Sequence, residues 1–338
     1  MAVAVLPMLQ VGGMQLFRLE SSDNAEKILP RATQLAGSLV LLYVIITMSC
    51  ALAYNIGGMG LFDSLAHSLT TISTGGYSTH TDSFAYFSNS NLEYIAVLFM
   101  IVGSLPFVLY LQFARGKASS LFLDSQVLAF FTILLVSVIL CVLYIQNNAD
   151  ISSADSIRKS LFNVTSILTG TGYVSADYME WGPFIVSLFF ILMLIGGCAG
   201  STSCGLKVFR VQILYKQVII QTKKIAFPDA VLVPLYNGKE IPENVSKAVT
   251  SFFLLFILSF VIIGLVLSLL GLDLITAFSA SASAISNVGP GLGAIVGPTE
   301  TYASIDSISK WILSFAMLLG RLEILTVMVI FTSYFWRQ

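Results

Sequence analysis

Three short polar stretches, each containing glycine and flanked by long apolar runs, constrain this chain more than any other feature. Residues 70–79 read TTISTGGYST, residues 169–178 read TGTGYVSADY and residues 286–293 read SNVGPGLG. The surroundings are membrane-like. Of 338 residues, 56% are hydrophobic and 10% charged, against about 25% charged in a soluble domain. A helix needs about 20 apolar residues to cross a bilayer. The runs 34–54, 92–114, 126–145, 183–214, 249–271 and 308–336 are predicted to qualify, the second with a kink at Pro106.

Between these runs lie segments too short to cross: 61–73, 156–170 and 273–287. Each carries an acid or a serine near its start, as a helix N-terminus prefers, and each ends in one of the glycine stretches. Long helix, short helix, glycine loop and long helix thus recur three times, an internal repeat that sets the architecture. The predicted fold is an all-α integral membrane protein of repeated helix–pore loop–helix units. Non-helical backbone at membrane depth is tolerated only inside protein or along a watery cavity. Loops grouped around one axis meet that condition as the lining of an ion pore. The short helices then aim their partly negative C-termini inward, which favours a cation, and loop carbonyls replace its water shell. Glycine lets the backbone turn those carbonyls without a Cβ clash. One such loop alone reads as a turn; three in register favour a pore.

Lys and Arg give the orientation. Arg18, Lys27, Arg31, Arg115, Lys117, Lys207, Arg210, Lys216, Lys223, Lys224, Lys239, Lys247 and Arg337 fall on one side, predicted cytoplasmic. The other side receives Arg158, Lys159 and Lys310, with Arg321 inside the membrane. It also collects Asp82, Glu93, Asp150, Asp155, Asp177, Glu180, Glu300 and Asp306, which would make an acidic outer vestibule. A net charge of −1 argues against a nucleic-acid partner. Cys50, Cys141, Cys198 and Cys204, with His67 and His80, form no usual zinc spacing, so buried apolar thiols are expected. The N-terminal stretch lacks the form of a signal peptide.

The runs TTISTGGYSTH, SILTGTGYVSADY, LIGGCAGSTSCGLKVFR, SNVGPGLG and GRLEILTV resemble the Trk-type potassium uptake family, on the side of its TrkH membrane subunits. The resemblance covers nearly the whole chain. It implies helix–pore loop–helix repeats around a pseudo-fourfold pore, each giving one filter strand with a key glycine. The matching glycines are Gly75, Gly172 and Gly289, preceded by Ser73 and Thr74, Gly170 and Thr171, and Asn287 and Val288. By resemblance these residues supply potassium-coordinating carbonyls, and the unequal strands imply an asymmetric site. Gly196, Gly197, Gly200 and Ser201 match a flexible intramembrane gate loop beneath the filter. Close packing through small residues is the alternative reading of that stretch. Cys204 stands where glycine is commoner in the family, which implies a stiffer loop. Arg321 matches a pore-facing barrier to cations; a structural ion pair is its alternative, and Glu323, two residues on, cannot share its helical face. The resemblance also implies a homodimer, a cytosolic nucleotide-binding regulatory subunit of TrkA type, no cofactor beyond the transported potassium ion, and residence in the bacterial inner membrane. The basic stretch Lys207 to Lys247 is either a docking face for that subunit or the ordinary positive-inside bias.

The family has four repeats and three are legible here, so the expected division is as follows. Residues 1–31 are the end of a preceding repeat with a cytoplasmic linker. Residues 32–118, 119–245 and 246–338 are three pore-loop repeats, the middle one carrying the gate loop. Either this chain is a fragment or mis-started reading frame of a longer protein, the favoured expectation, or another chain supplies the fourth wall. A sodium- or proton-coupled symporter would want a paired carboxylate at the midplane, whereas Asp63 and Asp273 fall at short-helix starts. An integral-membrane enzyme would want clustered His, Cys or carboxylates, which the spacings do not provide. A non-conducting scaffold is the remaining alternative.

Overall fold

The computed structural model describes residues 32–87, 89–116, 119–148, 152–230 and 232–322. The first unit is α1 (Ala32–Ile56), the short α2 (Leu61–Ile72), α3 (Ser90–Ser104) and α4 (Phe107–Ala114). The second is α5 (Ser125–Asn148), the short α6 (Ser153–Leu168), α7 (Pro183–Leu194) and α8 (Val208–Ala226). The third is α9 (Glu243–Leu269), the short α10 (Leu274–Ser286) and α11 (Ser307–Arg321). The expected stretch 1–31 and the last part of the run 308–336 lie outside the described residues.

The long helices α1, α5 and α9 are apolar on nearly every face, as a lipid-facing helix must be. On α1, Val40, Leu41, Val44, Ile45, Met48 and Leu52 are all exposed. Such a patch is a liability in water and fits hydrocarbon. The short helix α10 is buried and small-sided instead. On α10, Ala277, Ala280, Ser281 and Ala284 are buried, and Gly264 of α9 lies against the ring of Phe278. Small residues of this kind let helices approach closely where no hydrophobic drive exists.

Each short helix packs on the long helix before it: α2 on α1, α6 on α5, and α10 on α9. The units interlock as well. The third helix of the first unit, α3, packs on α6, and α7 packs on α10. The units therefore follow one another side by side, with the short helices toward a common interior.

Among the described residues three helices, Gln34–Ile56, Ser125–Asn148 and Glu243–Leu269, are long and apolar enough to span a membrane, and a bent pair makes a fourth. Two predicted runs differ from that simple form. The run 92–114 does not merely kink at Pro106: α3 and α4 meet at 93°. Proline biases the preceding residue toward extended backbone, and Leu105 has ψ 155°. The freed backbone is taken up by residues 198–202: Cys198 and Thr202 amides donate to Ser104 O and Gly103 O, and Phe107 N donates to Gly200 O. The run 183–214 stops after twelve residues, at Leu194, and resumes as α8.

After α8 a small hairpin pairs Leu235–Tyr236 with Lys239–Glu240 across Asn237 and Gly238. Both turn residues have positive φ, 47° and 76°, the geometry that Asn-Gly favours in a tight hairpin. Asn237 accepts from Ser125 N and donates to Asp124 Oδ2, which seats the hairpin on the foot of α5. Burial raises the Asp124 carboxyl above the usual carboxylate range.

Candidate cation pathway

The three glycine stretches are built alike, in a register that hydrogen bonds fix. After α2, the amides of Gly75 and Gly76 both donate to Thr70 O, at 2.7 and 3.3 Å. After α6, the amides of Thr171 and Gly172 both donate to Ser166 O, at 2.9 and 3.2 Å. After α10, Val288 N donates to Ser283 O at 2.9 Å and Gly289 N to Ser283 Oγ at 3.0 Å. In a trans peptide the carbonyl points opposite to the amide it adjoins. The carbonyls of Thr74 and Gly75, of Gly170 and Thr171, and of Asn287 and Val288 therefore face away from their short helices.

Backbone handedness repeats with the same register. Thr74, Gly170 and Asn287 have φ of 49°, 71° and 54°, and Gly76, Gly172 and Gly289 have φ of 64°, 82° and 108°. The residue between them in each strand is not left-handed. Alternation of this kind gathers successive amides on one side and leaves the carbonyls in a row on the other. The matching sets are thus Gly76, Gly172 and Gly289, preceded by Gly75, Thr171 and Val288. Reading by first glycine paired Gly75 with Gly172; the backbone shifts that pairing by one residue. The sequence did hold the signal, because Thr70, Ser166 and Ser283 each stand six residues before the matching glycine.

The strands are neighbours. A Cβ on Gly76 would overlap Thr171 O, and a Cβ on Gly172 would overlap Val288 O. The first and second strands thus each press a glycine on the carbonyl of the next. The corresponding point beside Gly289 is open among the described residues. Gly289 O accepts from Tyr302 OH at 2.9 Å, a bond specific to the third strand.

Behind the second strand stands Tyr173, fully buried. Its hydroxyl lies 2.6 Å from Thr70 Oγ1 and 3.1 Å from Thr71 Oγ1, and donates to His67 O at 3.1 Å. It ties the second strand to the short helix of the first unit. Thr71 continues the tie to Tyr54 OH at 2.8 Å. His67 is a structural member of this packing: its ring nitrogens meet Asp63 O and Ser78 Oγ, and it packs edge-on to Phe84 and Phe87 and tilted to Tyr173. We expect Tyr173→Phe to lower stability by about 1–3 kcal/mol, the cost of leaving buried polar groups short of a partner. A lowered unfolding temperature in detergent checks this.

The loop after α7 closes on itself beneath the strands. Gly196 N donates to Leu206 O and Leu206 N to Leu194 O. Gly196 lies so close to Cys204 O that a Cβ would overlap it, and Gly197 packs on Ser203 and Ser104. Gly200 has φ 77° and its carbonyl accepts from Phe107 N, while Ser201 Oγ donates to Cys198 O. Ala199 N donates to Gln126 Oε1. Thr202 Oγ1 donates to Ile72 O, and Ser203 Oγ to Thr169 O. Arg321, at the end of α11, donates to Thr202 O at 3.3 Å and to Cys204 Sγ at 2.6 Å. Small residues here serve close packing within a folded loop.

These strands and the loop beneath them make a candidate cation pathway, and comparison gives the family. The family model described as TrkH, cation transport protein, matches residues 1–337. The chain belongs to the TrkH family. It is 41% identical to the Trk system potassium uptake protein TrkI of Halomonas elongata, covering all of this chain and 69% of that protein. It is 36% identical to the Trk system potassium uptake protein TrkH of Salmonella typhimurium, covering all of this chain and 70% of that protein. The crystal structure of the potassium transporter TrkH from Vibrio parahaemolyticus superposes with a TM-score of 0.87 at 34% identity, over 99% of this chain and 69% of that one. As a TrkH-family member the chain is a multi-pass membrane transport protein rather than an enzyme.

Two expectations change in this TrkH-family chain. Glu93 is not a free vestibule acid: it is buried and pairs with Arg158 at 2.8 Å, and Arg158 also holds Asp155 at 2.7 Å. An isolated carboxylate could not remain charged at that depth without such a partner. Asp177 and Asp306 are helix caps, with Asp306 accepting from the Ile308 and Ser309 amides. Asp150 lies outside the described residues. The acids at the starts of α2 and α10 remain charged: the Thr79 hydroxyl holds Asp63, and the Thr276 contact holds Asp273, below the usual carboxylate range. The second change concerns Cys204. Cys50, Cys141 and Cys198 are buried thiols as expected, but Cys204 is half-buried and holds Arg321. Among the described residues the partners of Arg321 are neutral, and Glu323 lies outside them.

Proposed function

We propose that the chain is the potassium-conducting subunit of a Trk-type uptake system in a bacterial inner membrane. The observation that carries this reading is the triplicate strand in which amides turn back to the short helix and carbonyls face the shared interior. Six carbonyls, those of Thr74, Gly75, Gly170, Thr171, Asn287 and Val288, then stand in for the water shell of a monovalent cation. Gly76, Gly172 and Gly289 permit the close approach of strand to strand. The loop around Gly196, Gly197, Gly200 and Ser201, with Arg321, gates the path below. The units 32–118, 119–245 and 246–338 each supply one wall. A fourth strand fits between the open side of Gly289 and the carbonyl of Gly75, supplied by a further segment or another chain. The relatives are named as parts of a Trk system, which supports a regulatory partner of TrkA type on the basic cytoplasmic side. A homodimer in the bilayer completes the proposed assembly.

The test is rubidium uptake into proteoliposomes, comparing the 338-residue chain with a version extended at its N-terminus by the corresponding segment of a longer relative. Uptake by the extended protein, or by both, is the expected result. If neither carries rubidium, even with the regulatory subunit present, the pore reading gives way to a non-conducting scaffold.

A further inference from the structure

Two hydroxyls of the loop after α7 sit on carbonyls at the inner ends of the short helices. Thr202 Oγ1 lies 2.8 Å from Ile72 O and 3.0 Å from Gly103 O. Ser203 Oγ lies 2.7 Å from Thr169 O, while accepting from Gly197 N at 2.8 Å. Ile72 closes α2, and Thr169 is the C-cap of α6. The last carbonyls of a helix have no partner within it and carry its negative end. In this arrangement the loop supplies the missing positive partner at two of them. The third unit is held differently: Asn287 Nδ2 donates to Met317 O, and Gly320 packs on Ile285 O.

We propose that Thr202 and Ser203 occupy a cation site at the inner end of the filter, lined by Ile72 O and Thr169 O, which a monovalent cation takes over when the loop withdraws. This rests on the filter and gate reading above and gives the loop a second role. A loop that only blocks the path would need bulk. This one places hydroxyl protons on oxygens that a dehydrated cation would otherwise use. Buried carbonyls left without a donor are costly, so loop withdrawal and cation entry favour one another. Thr202 and Ser203 are positioning residues for the filter as well as parts of the gate.

The experiment compares Thr202→Val with Ser203→Ala combined, Thr202→Ser, and the unchanged full-length protein in proteoliposomes without activating partner. Rubidium and sodium fluxes are read over a range of concentration. The combined variant should raise resting rubidium flux by about 5–30-fold, the factor that one or two lost hydrogen bonds imply, and half-saturate at lower rubidium. Its rubidium-to-sodium ratio should change, which loosening of a simple plug would not produce. Thr202→Ser, which keeps the hydroxyl, should match the unchanged protein. An unaltered ratio and half-saturation in the combined variant would overturn the proposal, as would Thr202→Ser behaving like the valine form. Gly172→Val in the same assay separates the two readings. If it still conducts, the filter reading fails. If it is silent while the combined variant is unaltered, only the inner site fails.

Discussion

Gly172→Val and Gly76→Val should each abolish rubidium uptake, whereas Gly75→Ala should retain most of it. At Gly172 and Gly76 two penalties coincide. The left-handed φ of 82° and 64° costs a non-glycine residue about 1–3 kcal/mol, more for a β-branched side chain. The added Cβ would also overlap the carbonyl oxygen of Val288 or Thr171, one of the atoms proposed to hold the ion. The strand must move, and a coordinating carbonyl moves with it. Gly75 differs although it is adjacent. It is not left-handed, and its Cβ would meet Ser73 Oγ at 3.2 Å and Tyr77 Cδ2 at 3.5 Å. Its counterparts Thr171 and Val288 already carry side chains. Uptake by each variant, normalised to folded protein in the membrane, decides the matter. Equal loss at Gly75 and Gly76 would return the register to the one that first glycines suggest.

That one-residue shift shows where the sequence was legible and where it was not. Hydropathy exposes long and short helices because lipid imposes a length on the first and excludes the second. Thus α2, α6 and α10 appear within a few residues of their predicted limits. Register within a loop depends on which amide meets which acceptor, and glycine identity alone does not encode it. The break after Leu194 was visible as a run of small residues, but the turn at Pro106 was underestimated. Its 93° comes from a remote segment, residues 198–202, that competes for the backbone around the proline. The Glu93–Arg158 pair joins residues far apart in the chain, so charge counting placed both correctly on one side without revealing that they neutralise each other. Tyr173 directly follows a matching glycine, yet only the fold shows its hydroxyl reaching a different unit.

Arg321→Ala should raise resting rubidium flux by an order of magnitude or more while leaving the folded protein abundant. A guanidinium near the proposed ion path would oppose a cation by roughly 2–4 kcal/mol at separations of about 4–8 Å and an effective dielectric of about 20. The same side chain also holds the loop, through Thr202 O and Cys204 Sγ. Removing it lifts a barrier and frees the loop, and both changes increase flux. Cys204→Ala separates them, because it keeps the charge and removes one of the two holds. If charge dominates, Cys204→Ala stays as quiet as the unchanged protein and Arg321→Lys restores most of the block. If anchoring dominates, Cys204→Ala leaks although the charge is kept. Lost expression of Arg321→Ala would instead assign the residue to structural support of the bundle. Its contacts with a carbonyl and a thiol argue against that outcome: neither neutralises the charge, so its position in the membrane is not repaid by an ion pair among the described residues. A charge kept at membrane depth on neutral partners costs insertion energy, and the proposed control of the cation path is a function that would account for keeping it there.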